Sequence, residues 1–143
     1  MTPLKPEQKE SIITRMAFIE TELSDLERFR AVEWKTFLNE RDTRRNIERI
    51  VENLANACID IGKIILAGEA AEMPSTYREV FEKLGLMNLV PMELAEEVAD
   101  LIAVRNLLAH QYLDLEWDRI KKFLAKGPEK VKEFIRAAQK IAA

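Results

Sequence analysis

Residues 41–66 read RDTRRNIERIVENLANACIDIGKIIL. Ile47, Ile50, Val51, Leu54, Ala57, Cys58, Ile61, Ile64 and Ile65 recur in this stretch at steps of three and four. That is the spacing at which an α-helix returns to one face, whereas a strand would alternate every second residue. The stretch is therefore a long amphipathic helix with one face to bury, and Gly68 behind it reads as its C-cap. The same period extends in both directions. Pro6 suits a first helical turn, with Glu7 and Glu10 at its positive end. Ile12, Ile13, Met16, Ile19, Leu23 and Leu26 then mark a helix of about six turns. Residues 27–37 carry Phe29, Val32, Trp34 and Phe37 and read as a shorter helix or a bent continuation.

Downstream, Ser75 is placed to cap a short helix from Tyr77 to Leu84 that Gly85 ends. Pro91 stands at the first position of the next helix. Leu94, Val98, Leu101, Ile102, Val104, Leu107 and Leu108 carry that helix through to Tyr112. Asp114 opens a segment from Trp117 to Leu124, Gly127-Pro128 breaks it, and a last helix holds Val131, Phe134, Ile135 and Ile141. No alternating stretch competes with these helices. The expectation is an all-α chain: one domain over residues 1–143, an antiparallel four-helix-type bundle with short accessory helices.

Composition fits that architecture. The chain has 143 residues, 48% hydrophobic and 33% charged, which excludes a disordered chain and a membrane-embedded one. Only one Cys, Cys58, and one His, His110, are present, so a disulfide framework and a multi-His metal site within one chain are excluded. No metal and no cofactor are expected. No basic, apolar leader opens the chain and no apolar run approaches membrane-spanning length, so a cytoplasmic protein is expected. Net charge is −3, which argues no nucleic-acid binding by itself, but the charge is uneven. It is −1 over residues 1–48, −6 over 49–104 and +4 over 105–143.

One segment does not read as bundle filler: Arg105-Asn106-Leu107-Leu108-Ala109-His110-Gln111-Tyr112. Arg holds a phosphate through two parallel hydrogen bonds and stays charged. His moves a proton near neutral pH. Together they are the smallest side-chain set for phosphodiester cleavage: His110 at the ribose 2′-hydroxyl or the leaving oxygen, Arg105 on the charge building at phosphorus. On an ideal helix five steps of about 100° leave Arg105 and His110 about 140° apart, while Asn106 and His110 share a face. Arg105 must then reach around, the helix must deform, or a second chain must complete the site. Bland roles compete: Arg105 paired with Asp100 or Glu97, Asn106 bonded to a partner chain, His110 as an interface cap, Tyr112 as a core-edge ring. Asp60, inside an apolar stretch, reads as a salt bridge across the bundle or as a residue that polarises the site. Arg41, Arg45 and Arg49, four apart with Arg44 beside them, form a stripe that could grip an RNA backbone or be a solvated face among Glu40, Asp42, Glu48 and Glu52. Lys121, Lys122, Lys126, Lys130 and Lys132 form a second basic region, read mainly as solubilising.

The Arg-Asn-x-x-x-His-x-Tyr string of Arg105, Asn106, His110 and Tyr112 resembles the signature of HEPN-domain proteins, and in particular their HepT-like (DUF86) branch. Glu40-Arg41-Asp42, residues 57–62 (ACIDIG), residues 76–81 (TYREVF) and Leu113-Asp114 are similar to that branch as well. The likeness covers roughly residues 40–125. It implies a helical bundle that forms a homodimer with the motifs facing. It implies a ribonuclease toxin acting on RNA, silenced by a cognate minimal nucleotidyltransferase antitoxin that transfers AMP to the motif tyrosine, by position Tyr112. Arg105 would hold the scissile phosphate, His110 act as general acid or base, and Asn106 orient either. The competing reading is a non-catalytic module that binds a nucleotidyltransferase.

Overall fold

The computed structural model describes residues 3–108 and 113–143, with the side chains of 113–115 outside that description. The described residues form seven α-helices: α1 (Pro6–Leu26), α2 (Trp34–Asn39), α3 (Arg41–Gly68), α4 (Tyr77–Leu86), α5 (Met92–Ile102), α6 (Val104–Leu108) and α7 (Leu113–Ala142). Among the described residues there is no strand, so the all-α expectation holds. None of the helices is long and apolar enough to cross a membrane.

α3 is the spine. Ile47, Val51, Leu54, Cys58, Ile61 and Ile65 are fully buried, and each aliphatic side chain of this kind contributes about 1.5–3 kcal/mol on leaving water. α1 packs against it in the opposite direction. Arg15 reaches Asp60 at 3.6 Å and Asn53 donates to Glu22 at 3.4 Å, so residue numbers fall on one helix as they rise on the other. The Asp60 salt bridge is the bundle-crossing pair read from the sequence. α4 and α5 form a hairpin against α3 and α7, with Phe81 edge-on to Phe134 at 5.5 Å. Gly62 lets α4 come close to α3: a Cβ there would lie 2.9 Å from Val80 and 3.3 Å from Leu84. Cys58 is core, and burial pushes its thiol up to about 12, which keeps it protonated and unreactive.

Several boundaries differ from the sequence reading, each for a local reason. Residues 27–37 are two elements, a 3-10 turn at Glu27–Phe29 and then α2. α2 delivers its rings to the bundle: Phe37 and Trp34 meet Trp117 of α7 in tilted ring contacts at 5.1 and 5.7 Å. Gly68 is not the left-handed cap of α3. That conformation falls on Ala70 (φ 54°), where Ala71 donates to the Leu66 carbonyl at 3.1 Å in a Schellman closure. Gly68 is glycine because any Cβ there would overlap Leu4. Likewise Gly85 lies inside α4, and Asn88 (φ 57°) closes it through the Leu89 N–H to the Leu84 carbonyl at 3.0 Å. Pro91 is the N-cap of α5 rather than its first residue.

The largest difference concerns Gly127-Pro128, which does not break the last helix. α7 runs through both for 30 residues. Pro128 has no N–H for the carbonyl four residues back, a real loss. The turn is nonetheless buried, with Leu124, Gly127, Pro128 and Val131 all inside. A Cβ on Gly127 would come within 2.7–3.0 Å of the fully buried Phe123 ring. The Gly-Pro pair is thus a packing device, and burial of the apolar face outweighs the missing hydrogen bond.

The N-cap of α4 is Thr76, not Ser75: the Thr76 hydroxyl accepts from the Glu79 N–H at 3.2 Å. Thr76→Ala should cost about 1 kcal/mol of stability in urea titration. Ser75→Ala should stay within about 0.5 kcal/mol. Equal losses would contradict this assignment.

Candidate active site

The segment carrying Arg105 is not a continuation of α5. α5 ends at Ala103, whose N–H bonds back to Asp100 at 3.4 Å, and the short α6 starts at Val104. Val104 is buried and anchors α6, Leu107 and Leu108 are half-buried, and Arg105 and Asn106 project into solvent. The acidic partners considered for Arg105 are taken by other residues. Asp100 pairs with Arg78 at 3.1 Å and Glu97 with Lys130 at 2.9 Å. Among the described residues Arg105 has no ion pair, so its guanidinium is available to a ligand. His110 and Tyr112 lie outside the described residues, between the end of α6 and the start of α7.

The arginine stripe of α3 lies beside α6. Arg41, Arg44, Arg45 and Arg49 line a cleft of about 320 Å³ together with Glu48, Glu52 and Leu108 of α6. Through Leu108 this cleft shares a wall with α6, the helix that carries Arg105 and Asn106. Two of the four guanidinium groups are tethered: Arg44 donates to the Leu38 carbonyl at 3.0 Å and Arg49 pairs with Glu52 at 3.4 Å. Arg41 and Arg45 have no ion pair among the described residues. A larger groove, about 710 Å³, runs between α1 and α7 past Glu20, Glu27, Lys132 and Arg136, and holds none of the motif residues. The second basic region is partly neutralised, with Lys130 between Glu97 and Glu133 and Lys132 4.0 Å from Glu129.

Sequence reasoning missed Glu116. It sits in the first turns of α7, directly before Trp117, and is completely buried, with neither carboxyl oxygen bonded to a donor among the described residues. Burial and the neighbouring Glu48 carboxyl push it up to about 8, against a smaller opposing pull from Arg44. At neutral pH Glu116 therefore keeps its proton. The only signal in the sequence was its place in the turn that the Trp34–Phe37–Trp117 cluster presses against the bundle.

This geometry fixes a pH dependence. The folded chain retains a proton that the unfolded chain releases near the ordinary value of 4.5. Glu116 therefore stabilises the fold fully below that value. The contribution is lost as pH rises toward about 8, by about 1.4 kcal/mol for each pH step of one between the two values. The melting temperature should fall between pH 6 and 9. Glu116→Gln, neutral at every pH, should flatten that fall, and an unchanged slope in the variant would contradict the burial of this proton.

Chemically, the described residues offer an arginine-walled cleft for anionic oxygens and, on the helix that contributes Leu108 to its wall, an exposed arginine with no ion pair among them. Residues 19–138 match the family model described as ribonuclease HepT-like. The tRNA nuclease HepT of Aphanizomenon flos-aquae is 28% identical over 109 residues, covering 76% of this chain and 74% of that protein. The mRNA nuclease HepT of Shewanella oneidensis is 28% identical over 90 residues, 63% of this chain and 65% of that one. The bundle is shared with the tri-AMPylated HEPN toxin of Shewanella oneidensis in complex with its MNT antitoxin (TM-score 0.78, 21% identity, 89% of this chain and 95% of that one). It is shared too with a chain from a toxin–antitoxin crystal containing AMP-PNP (TM-score 0.79, 20% identity, 90% and 97%). The family match runs from α1 to the last turns of α7, and the chain belongs to the ribonuclease HepT-like family.

Proposed function

We propose that this chain is a metal-independent RNA endonuclease, the toxin of a HepT-type toxin–antitoxin pair, active as a homodimer in the cytoplasm. The observation that carries the reading is the shared wall between the arginine cleft of α3 and the helix bearing Arg105 and Asn106, in a chain of the HepT-like family. The roles follow from side-chain chemistry. Arg41, Arg44, Arg45 and Arg49 hold the RNA backbone by charge and by forked hydrogen bonds. Arg105 holds the scissile phosphate and neutralises charge on its oxygens as the 2′-oxygen attacks. His110 takes the 2′-hydroxyl proton or gives one to the departing 5′-oxygen, and Asn106 orients it. The phosphorus–5′-oxygen bond breaks, leaving a 2′,3′-cyclic phosphate and a free 5′-hydroxyl.

A minimal nucleotidyltransferase is the cognate antitoxin in this reading. The Tyr112 hydroxyl attacks the α-phosphorus of ATP, pyrophosphate leaves, and the bulky anionic AMP blocks a site built to receive phosphate. The relatives whose structures pair a HEPN toxin with an MNT antitoxin, one of them AMPylated, support this partner.

The test is cleavage of tRNA and mRNA pools by the purified chain with chelator present. The parent should cut. His110→Ala should lose about 10²–10⁴-fold and Arg105→Ala about 10²–10³-fold. If the parent cuts nothing yet binds the nucleotidyltransferase and carries no AMP, the chain is a binding module instead. Co-expression with the nucleotidyltransferase should add adenylyl mass to the parent and none to Tyr112→Phe; the full adduct in that variant would overturn the Tyr112 assignment.

A further inference from the structure

α4 buries only one side. Val80, Phe81 and Leu84 face the bundle, and Gly62 lets that side seat closely on α3. Residues 79, 82, 83 and 86 recur at helical steps on the other side and point away from the core. The segment that follows α3 folds back along this outer side. Lys83 donates to the Glu72 carbonyl at 2.9 Å, and the Thr76 hydroxyl caps α4. Between segment and helix runs a groove of about 480 Å³, walled by Met73, Pro74 and Leu86 and rimmed by Glu72, Glu79 and Glu82. Leu86 is 73% exposed and Met73 43%, and Met87 follows at the end of α4 at 38%. They are three of the six large apolar side chains that the described residues leave exposed. Single exposed apolar residues are ordinary, whereas a cluster of them inside a charged rim has the anatomy of an interface. None of the three carboxylates has an ion pair among the described residues. The one cation of the groove, Lys83, is held on the Glu72 carbonyl.

We propose that this groove is a docking site for a cationic, amphipathic segment of a partner protein: an aliphatic side chain of that segment enters between Met73 and Leu86, and Lys or Arg residues beside it meet Glu72, Glu79 and Glu82. Charge decides the occupant. Three carboxylates repel RNA and an anionic lipid surface alike, and they draw a basic polypeptide. The unbranched side chains of Met73 and Met87 adjust to the group that enters. The groove lies apart from the arginine cleft. The cleft is built on residues 41–52 of α3, and α4 meets α3 at Gly62, ten residues and about 15 Å of helix rise beyond Glu52. A segment held here leaves the cleft open, so its binding and the binding of RNA are separable.

The probe is a short fluorescein-labelled lysine/leucine peptide with its leucines at helical spacing. Its Kd is measured by anisotropy on the full chain at low salt, with far-UV circular dichroism reporting the fold of each variant. The parent should bind this peptide and bind neither its glutamate/leucine nor its lysine/serine counterpart. Leu86→Ser should weaken binding by about tenfold or more, the scale of one aliphatic side chain lost from a buried contact. The double variant Glu79→Gln/Glu82→Gln should weaken it about threefold to tenfold and flatten its salt dependence. Ile13→Ser, which removes an exposed apolar side chain of α1 outside the groove, should bind as the parent does. A parent that does not bind the peptide, or one that binds the glutamate/leucine counterpart as well, overturns the proposal. Equal Kd values for Leu86→Ser and Ile13→Ser overturn it too. Sedimentation of Leu86→Ser as a smaller species than the parent would show that a second copy of the chain covers the groove, and this also overturns the proposal.

Discussion

Burial of one face of α3 is the constraint from which the rest of the molecule follows. Ile47, Val51, Leu54, Ile61 and Ile65 must leave water, and α1, α4 and α7 close over them. Because an amphipathic helix buries one face and leaves the other to solvent, the same packing turns Arg41, Arg45 and Arg49 outward along one line. The cleft is the unburied complement of the core. Its position beside α6 is set by the break at Ala103, which ends α5 and lets Val104 seat a separate short helix against α3. Fold and cleft are therefore one arrangement.

Glu116 carries a cost in stability: a buried carboxyl given no donor by the described residues is one that a Leu or Met would avoid. Asp60 makes the contrast. It also interrupts an apolar run, yet it is half exposed and meets Arg15 across the bundle, and it has no connection with the cleft. Inspection of the sequence draws the eye to Asp60, which is structural, and away from Glu116, which is not conspicuous.

Much of the fold was legible because it depends on periodicity. The limits of α1, the extent of α3 to within two residues and the existence of α4 and α5 all follow from apolar steps of three and four. Readings that relied on single punctuating residues fared worse. Gly68, Gly85 and Gly127 looked like helix ends, but Gly68 and Gly127 are small because Leu4 and Phe123 pack there, and Gly85 is small because Met92 does. Ala70 and Asn88 hold the left-handed turns instead. Local propensity cannot distinguish a glycine needed for backbone freedom from one needed for space, since that depends on a packing partner elsewhere in the fold. For the site, the arginine stripe was visible as a spacing, whereas its contact with Leu108 was not, because it depends on how α6 departs from α5. His110 and Tyr112 were singled out by residue type and resemblance, and they lie outside the described residues.

The central claim is that RNA is held in the cleft between α3 and α6. The most direct measurement is photo-crosslinking of a 4-thiouridine RNA to the purified chain, with the attached peptides identified by mass spectrometry. The account predicts adducts within residues 41–52 and 104–112. Adducts confined to the lysines of α7 between Lys121 and Lys132, or to the groove between α1 and α7, would contradict it.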